Sequence, residues 1–246
     1  MSLCLHVGAE PTTMEYLRTI PTPPRTSTWC PLGHADVVDM VLARFIAAGY
    51  QHLSTELGVN VTSRGQRAGD RMFGLMRFKL ANDFALAVGI RNTHDKEFAL
   101  GITIGTMVFV CDNMAFSGDY LAVDRKRVPG IADELPAMLD HAIQVAAPVA
   151  KADVKRFDLY KGLAMGDMDL HHLAVEAARQ DIIAPNKVLA VANTWAEPPH
   201  KAFRSRTMWS GFNAFTEVMK GTNVFNLPAK THRLTNLFDE YATSLN

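Results

Sequence analysis

The sequence predicts an α+β fold in which one helix precedes an antiparallel sheet of about 4–6 strands, with the C-terminal helices packed on that sheet. Apolar residues first repeat at helical spacing over 35–48, then follow strand patterns over 51–124, and return to helical spacing after residue 131. The links between the strand-like runs are short, which favours antiparallel pairing because parallel pairing needs a long crossover. Helices that follow strands in this order are typical of α+β folds.

Composition favours a globular protein with a buried core, since 48% of the 246 residues are hydrophobic and 20% are charged. The 25 basic and 25 acidic residues cancel, which disfavours a large DNA-coating surface but permits a local positive stripe. Cys4, Cys30 and Cys111 form no CxxC pair, so buried free thiols in a reducing compartment are favoured. With no bilayer-length apolar run and no signal peptide, we expect a cytoplasmic protein without membrane contact.

The first 33 residues are rich in proline and predict an irregular N-terminal arm. Residues 34–246 are predicted to form a single α+β domain, with the first helix and the sheet in 34–129 and a helical part in 130–246. The first helix spans about Ala35 to Ala48, and Gly49 follows as a C-cap residue.

Strands are predicted over about 53–61, 72–80, 84–91, 98–110 and 120–124, with Ala81-Asn82-Asp83 as a hairpin turn. A long amphipathic stretch from Ile131 to Arg156 follows, and Pro136 and Pro148 are expected to bend or split it. Further helices are predicted over 167–181, 186–196, 207–220 and 230–241.

The polar turn 91–96 is the first candidate site. Arg91 and Lys96 would hold phosphates while His94 and Asp95 shape the turn, because a guanidinium donates two parallel hydrogen bonds to phosphate. The alternative is a structural hairpin turn in which Asp95 accepts hydrogen bonds from its own backbone, and this alternative is favoured.

Two further clusters offer weaker hypotheses. Cys111 would be a nucleophile if His94 approached it, but it extends an apolar run as an inert buried thiol does, and Asp112 with Asn113 ends that run. Asp167, Asp169, His171 and His172 would seed a metal site; however, adjacent histidines point about 100° apart on a helix. A solvated helix start with an aspartate near the N-cap is therefore favoured.

A basic and aromatic stretch near the C-terminus is the remaining candidate. Cationic grooves with aromatic platforms hold single-stranded nucleic acid, and this composition fits that chemistry. The alternative is a solvated loop with its aromatic residues in the core. The stretch comprises Lys201, Phe203, Arg204, Arg206 and Trp209. Together with a second basic run, Arg125, Lys126 and Arg127, it holds the densest positive charge in the chain.

Four segments resemble the phage/plasmid-like protein family that carries domain of unknown function 932. They are 31–36 (PLGHAD), 90–96 (IRNTHDK), 108–118 (VFVCDNMAFSG) and 209–217 (WSGFNAFTE), the last followed by 231–233 (THR). The resemblance implies a gene of phages, prophages and plasmids, and it implies no catalytic residues. The element order is also similar to that of single-strand annealing proteins of the RecT and Erf type, which bind single-stranded DNA as rings or filaments.

These observations lead to one main expectation of function. The protein is expected to be a non-enzymatic, mobile-element-encoded protein that binds single-stranded nucleic acid as a homo-oligomer, without cofactor or catalytic residues. A second hypothesis is a phage factor that binds a host protein in a defence or anti-defence role. A metal-dependent nuclease is the least favoured, because no motif sets up two metal ions.

Overall fold

The computed structural model describes residues 9–61, 68–81, 84–108, 114–115, 121–220, 222 and 227–245, and it confirms the α+β class. The strands are β1 (Ala9–Thr12), β2 (His52–Asn60), β3 (Arg71–Ala81), β4 (Phe84–Thr93), β5 (Leu100–Val108), β6 (Met114–Ala115) and β7 (Leu121–Arg125). The helices are α1 (Met14–Thr19), α2 (His34–Ala47), α3 (Ile131–Gly162), α4 (Asp167–Arg179), α5 (Val188–Ala196), α6 (Met208–Met219) and α7 (Leu227–Ser244).

The seven strands form one sheet in the order β1-β2-β3-β4-β5-β6, with β7 also paired to β5. The pairs with a described register are antiparallel, as predicted: Ala9 lies opposite Asn60, and Leu100 lies opposite Arg125. β3 and β4 are neighbours, as expected for a hairpin, although its tip at 82–83 lies outside the described residues.

The chain forms two compact units, each built from three segments of the sequence. The first unit comprises Met1–Leu80, Ala85–Gly105 and Tyr120–Pro148, and the second comprises Ala81–Phe84, Thr106–Asp119 and Val149–Asn246. Both β5 and α3 contribute residues to each unit, so each is shared along its length.

The N-terminal arm is more regular than predicted, because it supplies β1 and α1. β1 is an edge strand, a position in which a proline such as Pro11 is tolerated. Thr13 caps α1 by accepting a hydrogen bond from the Tyr16 backbone N–H at 3.3 Å, and Leu17 is buried. The prolines at 21, 23, 24 and 31 lie in segments without helix or strand, as predicted.

In the first unit, α2 packs on the sheet through its apolar face. Val41 and Phe45 are fully buried, and the Phe45 ring lies 4.6 Å from that of Phe78 on β3. α2 ends one residue before Ala48, and Gly49 then takes a φ of +87°, which a residue without a Cβ adopts without strain.

Pro136 and Pro148 do not split α3, which runs for 32 residues from Ile131 to Gly162. Each proline removes one N–H from the helical ladder and frees the carbonyl four residues before it. Those carbonyls belong to Ala132 and Gln144, both exposed residues. Water can therefore bond them, and the helix continues.

In the second unit, α6 is buried on nearly all sides, as is typical of a helix at the centre of a core. Phe212 on α6 is 1% exposed, and its ring lies 5.3–6.1 Å from those of Phe157, Tyr160, Trp209 and Phe238. Phe84, at the start of β4, packs on Phe157 of α3 at 5.6 Å. The C-terminal helices therefore pack on residues of the strands, as predicted.

A buried ionic network joins α3 to α7 and β5 within the second unit. Asp153, which has no exposed surface, accepts hydrogen bonds from Arg156 and from Thr106 Oγ1 at 3.0 Å. Arg156 Nε also donates to Asp239 Oδ2 at 2.9 Å, and the Tyr160 hydroxyl donates to Asp239 Oδ1 at 2.6 Å. Burial and the neighbouring Asp239 carboxylate raise the pKa of Tyr160, so it stays a donor.

Candidate nucleic-acid interface

The polar segment predicted as a turn at 91–96 comprises the last three residues of β4 and the turn that follows them, and Asp95 fixes the backbone of that turn. Asp95 accepts hydrogen bonds from Thr93 Oγ1 and, at 3.1 Å, from the Glu97 backbone N–H, which confirms the structural role proposed for it. Arg71 Nε lies 2.6 Å from Asp95 Oδ2. Burial raises the pKa of Asp95, but the bonds from Thr93, Arg71 and Glu97 together lower it below its usual value.

The carbonyl of Leu32 anchors the segment before α2 to this turn. It accepts hydrogen bonds from Asn92 Nδ2 at 2.9 Å and from His94 Nε2 at 3.0 Å. Two of the segments that carry the family resemblance, 31–36 and 90–96, therefore meet at this point of the structure.

His34 and His94 stack against each other in the interior, with ring centroids 3.9 Å apart and planes 10° from parallel. His34 Nε2 lies 3.0 Å from the Gly69 carbonyl and must donate to it, while its Nδ1 accepts from Asn92 Nδ2 at 3.0 Å. His34 is thus held as the neutral Nε2–H tautomer. Burial, together with the charges of His94 and Arg127, lowers the pKa of His34 to about 3.

Arg127 holds the other side of this cluster and does not face the solvent. It is 4% exposed, and its guanidinium donates to Asn92 Oδ1 at 3.0 Å and to the Phe98 carbonyl at 2.8 Å. Its own carbonyl accepts the Cys30 backbone N–H at 2.8 Å. Arg127 therefore does not fit the phosphate contact predicted for it; it links the arm, the turn and the end of β7.

Three buried polar atoms at this end of the first unit have no hydrogen-bond partner among the described residues: Trp29 Nε1, His94 Nδ1 and Arg127 Nε. A buried polar atom without a partner costs free energy, and such atoms are rare in folded proteins. Burial lowers the pKa of His94, with a further contribution from Arg127, so its Nδ1 carries a lone pair rather than a proton.

Two cation–aromatic pairs lie beside the polar segment 91–98. The Lys96 ammonium lies 4.7 Å from the centroid of the Trp29 ring, and Arg91 Cζ lies 5.7 Å from that of Phe98. Lys126 is exposed directly before Arg127. For Arg125, whose Cα lies opposite Leu100, only the backbone is described.

Arg91 and Lys96 lie at the two ends of the polar segment 91–96, and Arg127 bonds the Phe98 carbonyl beside it. Lys96 adopts a φ of +66°, which the surrounding turn imposes on a residue that rarely takes it. The acidic residues of the turn, Asp95 and Glu97, are paired with Arg71 at 2.6 and 3.5 Å. The exposed Lys96 and the half-buried Arg91 each lie beside a partly exposed aromatic ring, a combination that fits a surface for single-stranded nucleic acid.

The C-terminal basic stretch lies in the second unit. Lys201, Arg204 and Arg206 are exposed, but the guanidinium of Arg206 is held 3.2 Å from Asp167 Oδ1 and 4.6 Å from the centroid of the Trp195 ring. Asp167 also accepts from Trp195 Nε1 at 2.7 Å. Lys201 and Arg204 are the better placed of the three for a phosphate.

Trp209 does not fit the stacking role predicted for it. It is 6% exposed, its ring lies parallel to that of Phe212 at 6.1 Å, and Phe157 lies 5.0 Å away. Phe203 is 5% exposed. Both residues belong to the core, as the alternative interpretation held, so no base reaches either ring.

The aspartates near His171 and His172 have structural roles. Asp169 caps α4 by accepting the Gly166 backbone N–H at 2.9 Å, and Asp167 bonds Trp195 and Arg206. Within the described ranges, no group of three His, Cys, Asp or Glu residues could hold a metal ion. Cys111, Asp112 and Asn113 lie outside the described residues.

Sequence reasoning missed His34, Asn92 and Trp29 as parts of this site. His34 and Asn92 are 58 residues apart, and Asn92 and Arg127 are 35 apart, so no local spacing connects them. One signal was available: Asn92 and His94 are polar residues directly after the apolar run of β4, and both are buried. A polar side chain in that position needs a partner from elsewhere in the chain.

Comparison of the chain with known protein families, with curated proteins and with solved structures gave no match. The resemblance to the phage/plasmid-like family and to the annealing proteins therefore stays a hypothesis. Among the described residues, no helix combines the length and the apolar character that crossing a membrane requires.

Proposed function

We propose that the protein binds single-stranded nucleic acid without breaking a bond, through the basic end of its first unit. In this proposal it is a cytoplasmic protein of a phage or plasmid that acts as a homo-oligomer, and the annealing of single strands is its role. Lys96, Lys126 and Arg91 contact phosphates, and Trp29 and Phe98 provide the aromatic surfaces. Lys201 and Arg204 are exposed cations of the second unit and offer a separate phosphate contact there.

One observation carries the proposal: two cation–aromatic pairs, Lys96 with Trp29 and Arg91 with Phe98, stand at the same end of one unit. They are fixed to each other through Arg127, which bonds the Phe98 carbonyl and accepts from Cys30, the residue after Trp29. A strand of nucleic acid needs such neighbouring charges and rings, since its phosphates and bases alternate along the chain.

Replacing Lys96 and Lys126 by glutamine is expected to weaken binding and to reduce its salt dependence. Each phosphate contact that is lost removes counterion release, so the slope of log affinity against log salt becomes shallower by about 0.7 per lysine for a single strand. The measurement is fluorescence anisotropy of a labelled single-stranded oligonucleotide at several salt concentrations, with duplex DNA as a competitor.

Lys79→Gln is the matched control, because Lys79 is exposed on β3 of the same unit. It lies eight residues from Arg71 along the strand, which is about 26 Å at the usual strand rise. Its replacement leaves affinity and slope unchanged. The proposal fails if the wild-type protein does not bind at low salt, or if Lys79→Gln and the Lys96/Lys126 pair have the same effect.

The second candidate, a factor that binds a host protein, is favoured by exposed apolar side chains on the second unit. Met168 on α4 is 79% exposed and Leu189 on α5 is 70% exposed. A protein complex made through such residues would be insensitive to salt, unlike nucleic-acid binding. Pull-downs with wild-type protein and with Met168→Ser/Leu189→Ser distinguish the two candidates.

A further inference from the structure

We propose that the stacked pair His34–His94 is an acid-sensitive latch that holds the segment 29–33, and with it Trp29, against the turn that follows β4. When the imidazoles take up protons, the segment is released and the aromatic part of the basic surface is lost. The release does not require nucleic acid; only its effect on binding rests on the proposed function.

The hydrogen bonds show why the latch needs neutral imidazoles. His34 Nδ1 accepts from Asn92 Nδ2, and Asn92 holds the Leu32 carbonyl with the same amide nitrogen. A proton on His34 Nδ1 would turn this acceptor into a donor that faces another donor. The Asn92 amide would then have to move, and the Leu32 carbonyl would lose one of its two described bonds.

His94 presents the second proton site. Its Nε2–H donates to Leu32, while Nδ1 is buried without a partner in the described part of the chain. A proton there would add a charge 3.9 Å from the stacked ring of His34 and near Arg127, in an interior that is costly for unpaired charge.

Some of the groups around His94 raise its pKa and others lower it. Burial opposes the protonation of His94 most strongly, and Arg127 adds to this effect. The bond to the Leu32 carbonyl and the carboxylates of Asp70 and Asp95 favour protonation. The opposing contributions prevail, since the pKa of His94 lies below its usual value, and that of His34 falls to about 3. Around His34, the charges of His94 and Arg127 both disfavour a proton.

The direction of the pH effect follows from these shifts. In the open form each histidine has an ordinary pKa of about 6.5. Near that pH it therefore binds a proton in the open form but not in the closed form. The stability of the closed form relative to the open form is therefore greatest above about pH 6.5, and it decreases as the pH falls below that value. Between pH 7.5 and 5.5 the opening equilibrium increases about tenfold for each histidine that stays neutral when closed, and about 100-fold for two.

Hydrogen–deuterium exchange read by mass spectrometry tests the latch in the full chain without a ligand. After correction for intrinsic rates, the protection of peptides that cover 26–36 and 90–98 is expected to fall 10- to 100-fold from pH 7.5 to 5.5. Peptides of α6 keep their protection over this range. Unchanged protection of 26–36 would overturn the proposal, as would an equal loss in every peptide, which is ordinary acid unfolding.

His94→Gln keeps a donor for the Leu32 carbonyl but cannot take up a proton, so its pH response is expected to be about tenfold smaller than that of the wild type. His171→Gln, which removes an exposed imidazole from α4, is the control and keeps the full response. An identical response in His94→Gln and wild type would overturn the assignment.

Imidazole NMR of the wild-type protein tests the same point without a variant. His34 is expected to stay an Nε2–H tautomer at pH 5.5 in molecules whose segment is closed. A protonated His34 in a fully protected segment would contradict the latch. In the oligonucleotide assay, the affinity for the single strand is expected to fall between pH 7.5 and 5.5, whereas added positive charge alone would raise it. If the protein binds no oligonucleotide at either pH, the proposed function is wrong. The latch would still be supported by the hydrogen–deuterium exchange result.

Discussion

Replacing Arg156 by methionine is expected to destabilise the second unit by about 3 kcal/mol, because it leaves the Asp153 carboxylate buried without the guanidinium that bonds it. Removing one partner of a buried ion pair costs about 3–5 kcal/mol, and the lower figure applies since the Arg156 side chain is 28% exposed. Urea unfolding followed by far-UV circular dichroism measures the change in the free energy of unfolding.

Lys155→Met is the matched control for this variant, because Lys155 is the exposed neighbour of Arg156 on α3. It is expected to change stability by no more than about 0.5 kcal/mol. A double variant, Asp153→Asn with Arg156→Met, is expected to lose less than the sum of the two single variants, since it also removes the buried charge of Asp153. A loss below about 1 kcal/mol in Arg156→Met would show that the network does not stabilise the fold.

Truncating Phe212 to alanine is expected to cost about 3–5 kcal/mol, the range found when a buried aromatic ring is removed from a well-packed core. Phe212 contacts rings from α3, α6 and α7, so its removal opens a cavity between three helices. Thermal and urea unfolding of the variant measure the loss. Phe212→Leu, which fills part of the space, should be the milder change.

Met168→Ala provides the comparison for Phe212→Ala, since it removes a large apolar side chain that is 79% exposed. It is expected to leave the free energy of unfolding within about 0.5 kcal/mol of wild type. Similar losses in the two variants would mean that α6 is not at the centre of the core.

The regular elements could be predicted from the sequence where the signal is local. The spacing of Val41 and Phe45, with Gly49 after them, predicts α2 to within a residue or two. β1 could not be predicted, because Ala9 to Thr12 shows no strand pattern and is ordered by pairing with Leu57 to Asn60, far along the chain. Pro148 does not split α3, because the carbonyl that it leaves free belongs to an exposed residue, where water can bond it.

The residues of the candidate site also differ in whether the sequence alone predicts their position. The charged residues Arg91 and Lys96 are evident in the sequence as a polar turn between apolar runs. Whether a basic or aromatic residue is exposed depends on tertiary packing, and for this reason the burial of Arg127 and Trp209 does not follow from the basic pattern around them. For Trp209 a local signal did exist: α6 has apolar or small residues around most of its circumference, which indicates a buried helix.

The position of Trp29 allows the intrinsic fluorescence of the protein to report on the basic surface. Of the three tryptophans, Trp195 and Trp209 are 3% and 6% exposed, whereas Trp29 is partly exposed beneath the Lys96 ammonium. A small collisional quencher such as acrylamide should therefore extinguish the emission of Trp29 before that of the other two. Binding of an unlabelled strand to the basic surface would then reduce the quenching of Trp29 fluorescence. Release of the segment 29–33 in acid would increase it.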